Sequence, residues 1–274
     1  MGYDPDFLAA PVDPPRAHVT GDLLDYTHFS LELDPGRRLA AWVAWNVDGD
    51  RLHPGESIPR SGTRFRADPR VPEDHQTLDP VYADNRLDRG HVARRADLLW
   101  GPLDEALRAN SDSFFFPNIT PQMDDFNQER LGGSWGMLEA AILSEDGLRP
   151  RRLSLFGGPV LADDDPPYRD LVRIPREHWK VVVYRLDGAL RFRCFLLTQQ
   201  VDPGLRGAVG YLDEFDTWAL PLTDLEARTG LVFPGLTGAS GDDVGDARAT
   251  ADRPVDAMPA PGPLLVRNAR DVEW

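Results

Sequence analysis

The chain has 274 residues, of which 41% are hydrophobic and 9% aromatic. This composition is sufficient for a buried core, so whole-chain disorder and the fibrous classes are excluded. The formal net charge of -15 argues against a broadly basic surface for nucleic acid, and the single cysteine, Cys194, excludes an internal disulfide and a cysteine-rich zinc site.

The sequence predicts no membrane segment and no secretion signal. No apolar stretch approaches the roughly 18 residues that span a bilayer. The first six residues include two acids and lack the basic start and the apolar run of a signal peptide. We therefore expect no membrane partner, and a protein that is cytoplasmic or exported by a leaderless route.

The charges are unevenly distributed along the chain. Residues 57–95 contain eight arginines and six acidic residues, whereas residues 201–274 contain 13 acidic and six basic residues. Of the 30 basic residues, 29 are arginine. The planar arginine fork suits phosphate better than an ammonium group does, so the first of these regions is the candidate for an anionic ligand.

The first predicted elements are strands. Alternating apolar and polar residues predict a strand over residues 26–34, and a second strand is predicted over 39–47, after a Pro-Gly pair. Residues 48–85 have weak periodicity and many Pro, Asp and Arg residues, so we predict a long loop there. A loop of that length inside a compact domain is usually functional.

The middle of the chain is predicted to contain helices and one short strand. Leucines at 98, 99, 103 and 107 predict a helix over 97–109, and the run Ser113–Phe116 predicts a strand that stops at Pro117. Trp135, Leu138, Ile142 and Leu143 fall on one helix face, so a helix is predicted over 134–145.

Three further strands are predicted in the second half, over 153–156, 179–184 and 190–198. The mixture of strands and a few helices indicates an α+β fold. Residues 238–274 are acidic and rich in Gly, Ala and Pro, so we predict a domain over residues 1–237 followed by a tail over 238–274.

Two polar segments carry the residue types that phosphodiester hydrolysis requires. The first is Asp88-Arg89-Gly90-His91, and the second runs from Asn118 through Asn127. Histidine suits the deprotonation of water near neutral pH. A hard cation such as Mg²⁺ neutralises charge on the phosphate while needing only one or two protein oxygens, and an arginine adds further stabilisation.

These segments resemble the DNA/RNA non-specific endonucleases of the ββα-metal, or His-Me finger, type. The resemblance rests on ordered blocks: Asp88 to His91, Asn118 with Pro121-Gln122, Phe126-Asn127-Gln128, and Trp135 through Leu138-Glu139. It extends over roughly residues 25–235. It implies a ββα-metal core inserted in a mainly antiparallel sheet with flanking helices. It also implies a Mg²⁺-dependent endonuclease, in which Mn²⁺ can substitute, with DNA and RNA substrates and little sequence specificity.

The resemblance also implies a role for each matching residue. His91 would be the general base that activates water, and Asn127 would be the direct ligand of Mg²⁺. Arg89 would stabilise the transition state, and in-line attack would leave a 5′-phosphate and a 3′-hydroxyl. Supporting roles would fall to Asn118 and Gln122, near the metal-water shell and the histidine, and to Glu139, which would bind a metal-bound water. We expect Arg86, Arg94 and Arg95 to contact substrate phosphates.

The spacing of one pair departs from the family pattern. Asn127 and Glu139 are 12 positions apart, and a continuous helix would separate them by about 18 Å. Either residues 128–133 loop out or Glu139 has lost its role.

Other interpretations stay open for individual residues. Asn118 fits a turn position and Asn127 fits a helix N-cap. Arg94 and Arg95 fit a solvated surface. For the whole chain, the alternative is a catalytically inactive nucleic-acid or protein-binding module on the same scaffold, which the acidic charge favours. For an active nuclease without a leader, an inhibitor or immunity protein is an expected partner.

Overall fold

The structure is a computed structural model. It describes residues 2–17, 21–60, 63–128, 134–143, 151–201, 217–236, 239–241 and 264–266. The predicted tail over residues 238–274 lies almost entirely outside the described residues, so the proposed domain boundary stays a prediction. No helix within the described ranges is long and apolar enough to cross a membrane.

The described residues contain strands throughout the chain and four α-helices. The strands are β1 (Asp22–Tyr26), β2 (Phe29–Asp34), β3 (Leu39–Asp48), β4 (Leu87–His91), β5 (Ile119–Met123), β6 (Arg152–Pro159), β7 (Pro167–Tyr168), β8 (Val172–Arg173), β9 (Glu177–Leu186), β10 (Ala189–Thr198), β11 (Thr217–Ala219), β12 (Ser240–Gly241) and β13 (Leu264–Val266). The helices are α1 (Leu103–Asp112), α2 (Asp124–Asn127), α3 (Ser134–Ile142) and α4 (Leu222–Thr229).

One large sheet carries the fold. Its strand order is β1-β2-β3-β6-β9-β10-β11-β13, and β12 pairs with β10. All of these pairings are antiparallel except that of β10 with β12. Separately, β4 and β5 form a two-stranded antiparallel sheet, named the hairpin below although residues 92–118 join its strands, and β7 and β8 form another two-stranded sheet. β4 and β5 followed by α2 form a ββα unit, and the α+β prediction is confirmed.

The central strands are apolar on both sides because both faces of the sheet are covered. On β3, Val43 and Trp45 pack with the ββα unit, whereas Trp42 and Ala44 pack on the opposite face. Successive side chains of a strand point to opposite faces, so this division follows directly from the sequence. The N-terminal segment and α4 cover the second face.

The first predicted strands are confirmed with one refinement. Residues 26–34 form β2 and the end of β1, and a turn at Thr27-His28 separates the two strands. His28 has a φ of 72°, a left-handed conformation that ends the strand. The predicted strand over 39–47 corresponds to β3, which pairs antiparallel with β2.

The helix predicted over 97–109 is wrong in its first half. Residues Arg95–Leu98 form a 3₁₀ helix, and α1 starts only at Leu103. Leu98 and Leu99 are fully buried, whereas Leu103 and Leu107 are exposed on α1. The four leucines therefore do not form one helix face. Leu98 and Leu99 are buried at the end of the 3₁₀ helix, and Leu103 and Leu107 lie on the solvent-facing surface of α1.

The strand predicted at Ser113–Phe116 is also wrong. This segment is a turn that leads into a 3₁₀ helix over Phe116–Asn118, and the partner of β4 is β5. Phe114 and Phe116 are buried without belonging to a strand. A short apolar run fits a buried turn as well as a strand, and periodicity alone does not separate the two.

The helix after the ββα unit is confirmed as α3. Trp135, Leu138 and Ile142 are buried on one face, as the pattern predicts. Helix α2 ends at Asn127, because Gln128 is extended with φ -92° and ψ 112°. Asn127 and Glu139 therefore lie on two separate helices, which removes the 18 Å separation that a continuous helix would impose.

Candidate active site

The hairpin β4–β5 carries most of the candidate residues. In its register His91 pairs with Ile119, Arg89 with Pro121 and Asp88 with Gln122. Alternation along β4 places Arg89 and His91 on one face of the hairpin and Asp88 on the other. Gln199, just after β10, anchors the hairpin to the large sheet: it accepts from the Met123 amide at 2.8 Å and donates to the Pro121 carbonyl at 3.2 Å.

His91 is held as a neutral base at the end of β4. Its Nε2 atom is buried and has no hydrogen-bond partner among the described residues. Phe65 and Phe114 flank the ring, with centroid distances of 5.6 and 5.2 Å. Burial, together with the positive charges of Arg60 and Arg95, lowers the pKa of His91 to about 3. The imidazole is therefore neutral at neutral pH, which is the protonation state that a general base requires.

Arg60, which no motif in the sequence singles out, lies near His91 in the structure. Arg60 is exposed, and its guanidinium lies 5.6 Å from the centre of the Phe114 ring. Its charge contributes to the lowered pKa of His91. The only sequence signal was the local excess of arginine in residues 57–95, which does not single out one residue.

Asp88 connects Asn127 to the same strand as His91. The Nδ2 atom of Asn127 donates to Oδ2 of Asp88 at 3.0 Å, and Gln128 donates to the same oxygen at 2.6 Å. Because its amide nitrogen is used in this way, Asn127 retains its amide oxygen as a potential ligand for a cation. His91 and Asn127, 36 positions apart, thus both adjoin β4, with Asn127 contacting Asp88 on the face of the strand opposite His91. Their joint action on a metal stays a prediction.

Asn118 has a different position from the one expected at a metal-water shell. It is fully buried, accepts from the Ala93 amide at 2.9 Å, and donates to the Ala93 and Ser113 carbonyls at 3.1 Å each. These three bonds occupy its amide group. Asn118 therefore fixes the turn that follows His91, and we replace the metal-shell expectation by this positioning role.

Gln122 is the most unusual polar residue of the hairpin. It is fully buried, and neither Nε2 nor Oε1 has a partner among the described residues. A Cβ at Gly90 would lie 2.1 Å from its Oε1, so the glycine makes the room that this side chain occupies. Buried amides normally have partners, so these two atoms are available to a water or an ion.

Two of the predicted arginines are paired with carboxylates. Arg89 donates from Nε and Nη2 to Oδ1 of Asp79, at 2.9 and 2.6 Å. Arg86 contacts Asp124 at 2.6 Å and Asp125 at 2.7 Å, and these bonds raise its pKa. A phosphate must therefore displace Asp79 to reach Arg89, and Arg86 serves to hold the first turn of α2 against β4.

Arg94 and Arg95 differ in exposure. Arg94 is 30% exposed, and its Nε lies 3.4 Å from Oε2 of Glu139. Arg95 is buried and donates to Asn110 and to the Ile58 carbonyl. We keep Arg94 as a candidate phosphate contact. For Arg95 we replace that expectation by a structural role, because its donors face the protein interior.

Glu139 belongs to a buried ion cluster that the sequence did not reveal. Its Oε1 accepts from Nζ of Lys180 at 3.1 Å, and Asp97 lies close enough to interact with both. Burial raises the pKa of Asp97 to about 6, and the negative charge of Glu139 acts in the same direction. Both carboxylate oxygens of Glu139 already face cations, Lys180 and Arg94. The expected contact of Glu139 with a metal-bound water stays a prediction.

His178 lies beneath the hairpin on β9. Its Nε2 is 3.3 Å from Oγ1 of Thr120, and its ring packs against Phe126 and Trp135 at 5.2 and 5.7 Å. Burial lowers the pKa of His178 to about 3. The residue is thus a neutral histidine of the core.

This burial makes stability depend on pH. An unfolded histidine titrates near 6.5, so between pH 7 and pH 5 the unfolded state gains a proton that folded His178 does not bind. His178 should therefore contribute a loss of about 2 kcal/mol in unfolding free energy over this range. Urea unfolding at pH 7, 6 and 5 should show a steeper loss for the wild type than for His178→Gln. Thr120→Val, which keeps the imidazole, should retain the wild-type slope, and parallel curves for all three proteins would refute the assignment.

The residues around the hairpin fit a hydrated divalent cation. Within the described ranges no group of three or more His, Cys, Asp or Glu side chains is arranged to hold a metal. Mg²⁺, however, keeps several waters and needs few protein oxygens. The amide oxygens of Asn127 and Gln122 are hard donors of the required kind, and Gln122 is buried without partners.

The two-stranded sheet with His91 at the end of β4, followed by the short helix α2, fits the class of ββα-metal nucleases. Residues 15–238 match the family model of DNA/RNA non-specific endonucleases. The chain belongs to this family, whose members are phosphodiester hydrolases, and the predicted family is confirmed.

Similar proteins include curated nucleases. The chain is 36% identical over 203 residues to the uncharacterized protein y4fB of Sinorhizobium fredii, covering 66% of this chain and 30% of that protein. It is 25% identical over 227 residues to human mitochondrial endonuclease G, covering 78% and 70% of the two chains. Nuclease C1 of Cunninghamella echinulata is 24% identical over 227 residues, covering 77% and 82%.

The chain is shorter than some of these relatives. It spans 30% of the length of y4fB and 59% of the mitochondrial nuclease EXOG of Danio rerio. Among solved structures, it is similar to the EndoG/EndoGI complex, with a TM-score of 0.62 and 19% identity, covering 83% of this chain and 89% of that chain. At this identity the likeness establishes the fold alone.

Proposed function

We propose that this chain is a Mg²⁺-dependent endonuclease that hydrolyses phosphodiester bonds of DNA and RNA with little sequence specificity. The observation that carries the proposal is the hairpin. One strand, β4, holds a neutral imidazole at its end and, through Asp88, the amide of Asn127. Membership of the endonuclease family supports the same activity.

His91 acts as the general base in this proposal. Its Nε2 atom has no protein partner in the described chain, so it is available to take a proton from the attacking water. The lowered pKa keeps it unprotonated at neutral pH. Asn118 fixes the turn after His91 through three hydrogen bonds, and Phe65 and Phe114 limit rotation of the ring. In-line attack leaves a 5′-phosphate and a 3′-hydroxyl.

Arginines stabilise the charge that builds on the phosphate. Arg89 lies on the His91 face of the hairpin, and Arg60 is exposed next to His91. The ion pair of Arg89 with Asp79 is at the surface, since Asp79 is 62% exposed. Exposed pairs contribute only about 0–1 kcal/mol, so a substrate phosphate displaces this carboxylate at low cost.

The divalent cation would be held by the amide oxygen of Asn127, with Gln122 nearby. When bound, it supplies electrostatic stabilisation of the phosphate and the leaving oxygen. Asp88 keeps the Asn127 amide oriented by accepting from its nitrogen at 3.0 Å. Sequence preference is expected to be weak, because the phosphate backbone is common to all sequences and the proposed contacts are to phosphate.

The direct test is cleavage of supercoiled plasmid DNA and of a folded RNA by the purified protein. Mg²⁺ or Mn²⁺ should support cleavage, EDTA should prevent it, and end analysis should give 5′-phosphates. Absence of cleavage with every divalent metal would refute the proposal. Binding of nucleic acid without turnover, unchanged by His91→Ala, would instead select the inactive binding module.

An inhibitor protein is part of the proposal as a partner. It is supported by the similar EndoG structure, which is a complex with the inhibitor EndoGI. A nuclease with little sequence specificity threatens the nucleic acid of the cell that makes it.

A further inference from the structure

The chain contains one lysine, Lys180, and it is completely buried. All 29 other basic residues are arginine. Lys180 lies on β9, opposite Gly157 of β6 and Phe195 of β10, on the same face as Val182 and therefore toward the ββα unit. Fully buried lysines are rare unless they are paired, so this position calls for a specific partner.

The partner of Lys180 is Glu139 of α3. Nζ of Lys180 lies 3.1 Å from Oε1 of Glu139. The ammonium also faces the indole rings of Trp135 and Trp45, at 4.1 and 5.5 Å from their centres. A compact ammonium group fits between two rings and one carboxylate, whereas the larger planar guanidinium presents its donors in a rigid fork. This geometry accounts for a lysine in a chain that otherwise uses arginine.

The ion pair continues to the rim of the candidate site. The second oxygen of Glu139, Oε2, lies 3.4 Å from Nε of Arg94. Asp97 accepts from the Trp45 indole at 3.0 Å and adds a second carboxyl group to the cluster. Two cations and two carboxyl groups therefore meet between β9, α3 and the segment after β4. Such a cluster is costly to bury unless its geometry is well defined.

Arg94 is the member of the cluster that reaches solvent. It is 30% exposed, whereas Lys180 is not exposed at all. It follows His91 by three residues, in the turn that Asn118 fixes through Ala93. Without Lys180, both oxygens of Glu139 would be available to Arg94, and the guanidinium would be neutralised and drawn inward.

We propose that Lys180 is a positioning residue of the nuclease site: its buried ammonium holds Glu139, and Glu139 in turn holds Arg94 at the rim beside His91. This inference rests on the proposed function. It assigns Lys180 no contact with substrate, so its effect must pass through Glu139. That dependence separates it from a residue that only stabilises the fold.

A double-mutant cycle tests this dependence. Lys180→Met, which removes the charge but keeps an unbranched chain, should lower kcat/KM about 10- to 100-fold, as is typical when a partner that orients a functional group is lost. Lys180→Arg should not restore the wild-type rate. In a Glu139→Gln background, Lys180→Met should change kcat/KM less than about twofold, because coupled residues are not additive.

Two comparisons separate positioning from stability. Val182→Ala lies two residues away on the same face of β9 and leaves a cavity in the core, so it should lower the unfolding midpoint without lowering kcat/KM. The double variant Lys180→Met/Glu139→Gln should unfold at a higher temperature than Lys180→Met, because it leaves no unpaired buried carboxylate. It also provides a folded protein if Lys180→Met alone does not fold.

A measurement on the unsubstituted protein completes the test. Selective ¹⁵N-lysine labelling gives one side-chain ammonium signal, since Lys180 is the single lysine. Its chemical shift should move when a short phosphorothioate DNA oligonucleotide is added, and this response should disappear in Arg94→Ala. The positioning role would be overturned if the ammonium chemical shift did not change on addition of the oligonucleotide. It would also be overturned if the effects of Lys180→Met and Glu139→Gln on kcat/KM simply multiplied. Either result would leave the nuclease activity intact. A wild-type protein that cleaves no nucleic acid would overturn the proposed function and this role with it.

Discussion

Replacing His91 with alanine should reduce cleavage of plasmid DNA by about 10²- to 10⁴-fold, which is the usual contribution of a general base. The Nε2 of His91 is buried and has no hydrogen-bond partner among the described residues, so its loss removes the proposed base. The measurement is the initial rate of supercoil loss at saturating Mg²⁺. Circular dichroism and the unfolding midpoint should show that the variant remains folded.

The space that the His91 ring occupies allows a chemical-rescue experiment with free imidazole as a control. His91→Ala leaves a space between Phe65 and Phe114, so free imidazole should enter and restore part of the rate. His91→Gln fills that space and should not be rescued. His75→Ala removes a partly exposed histidine whose Nδ1 lies 3.5 Å from Oδ2 of Asp22, and this variant should cleave like the wild type. Wild-type rates for a folded His91→Ala would remove His91 from the mechanism.

Replacing Asn127 with alanine should lower Mg²⁺-dependent cleavage at least about a hundredfold, because it removes the proposed direct protein ligand of the cation. The loss should be partly reversed at high Mg²⁺ or Mn²⁺ concentrations, since the waters around the ion are retained. A titration of rate against metal concentration, together with isothermal titration calorimetry of metal binding, measures both effects.

Gln128 provides the matched control for Asn127. Both side chains donate to the same Oδ2 atom of Asp88, at 3.0 Å for Asn127 and 2.6 Å for Gln128. Gln128→Ala therefore removes a comparable hydrogen bond without removing the proposed ligand, and its metal requirement should stay within a few-fold of wild type. Equal metal requirements for the two variants would show that the bond to Asp88, and not the Asn127 oxygen, is what matters.

Several features of the site could be predicted from the sequence because they depend on short-range order. The pattern of Trp135, Leu138 and Ile142 predicted a buried helix face, which is a face of α3. The family resemblance rested on ordered blocks, and the family model confirms the family over residues 15–238. Residue type and spacing were sufficient for these predictions.

The second strand of the hairpin shows where such patterns fail. The apolar Phe114 run has a stronger strand signal than Ile119–Met123, which contains a proline and two polar residues. The latter segment is nevertheless the strand, because its pairing partner is β4 and Gln199 ties it to the large sheet. Pairing between distant segments decides which residues form a strand. A short stretch of sequence carries no information about that pairing.

The sequence by itself determined the class of the protein and the order of the candidate site residues, because these depend on residue chemistry and on spacing along the chain. Only the tertiary structure decided which arginines face outward, with Arg60 and Arg94 accessible and Arg95 buried. The contact between Lys180 and Glu139, which are 41 positions apart in the chain, is likewise visible only in the tertiary structure. The physical reason is that burial and ion pairing depend on which surfaces of the sheet and helices meet, and this is fixed by long-range packing of the whole chain.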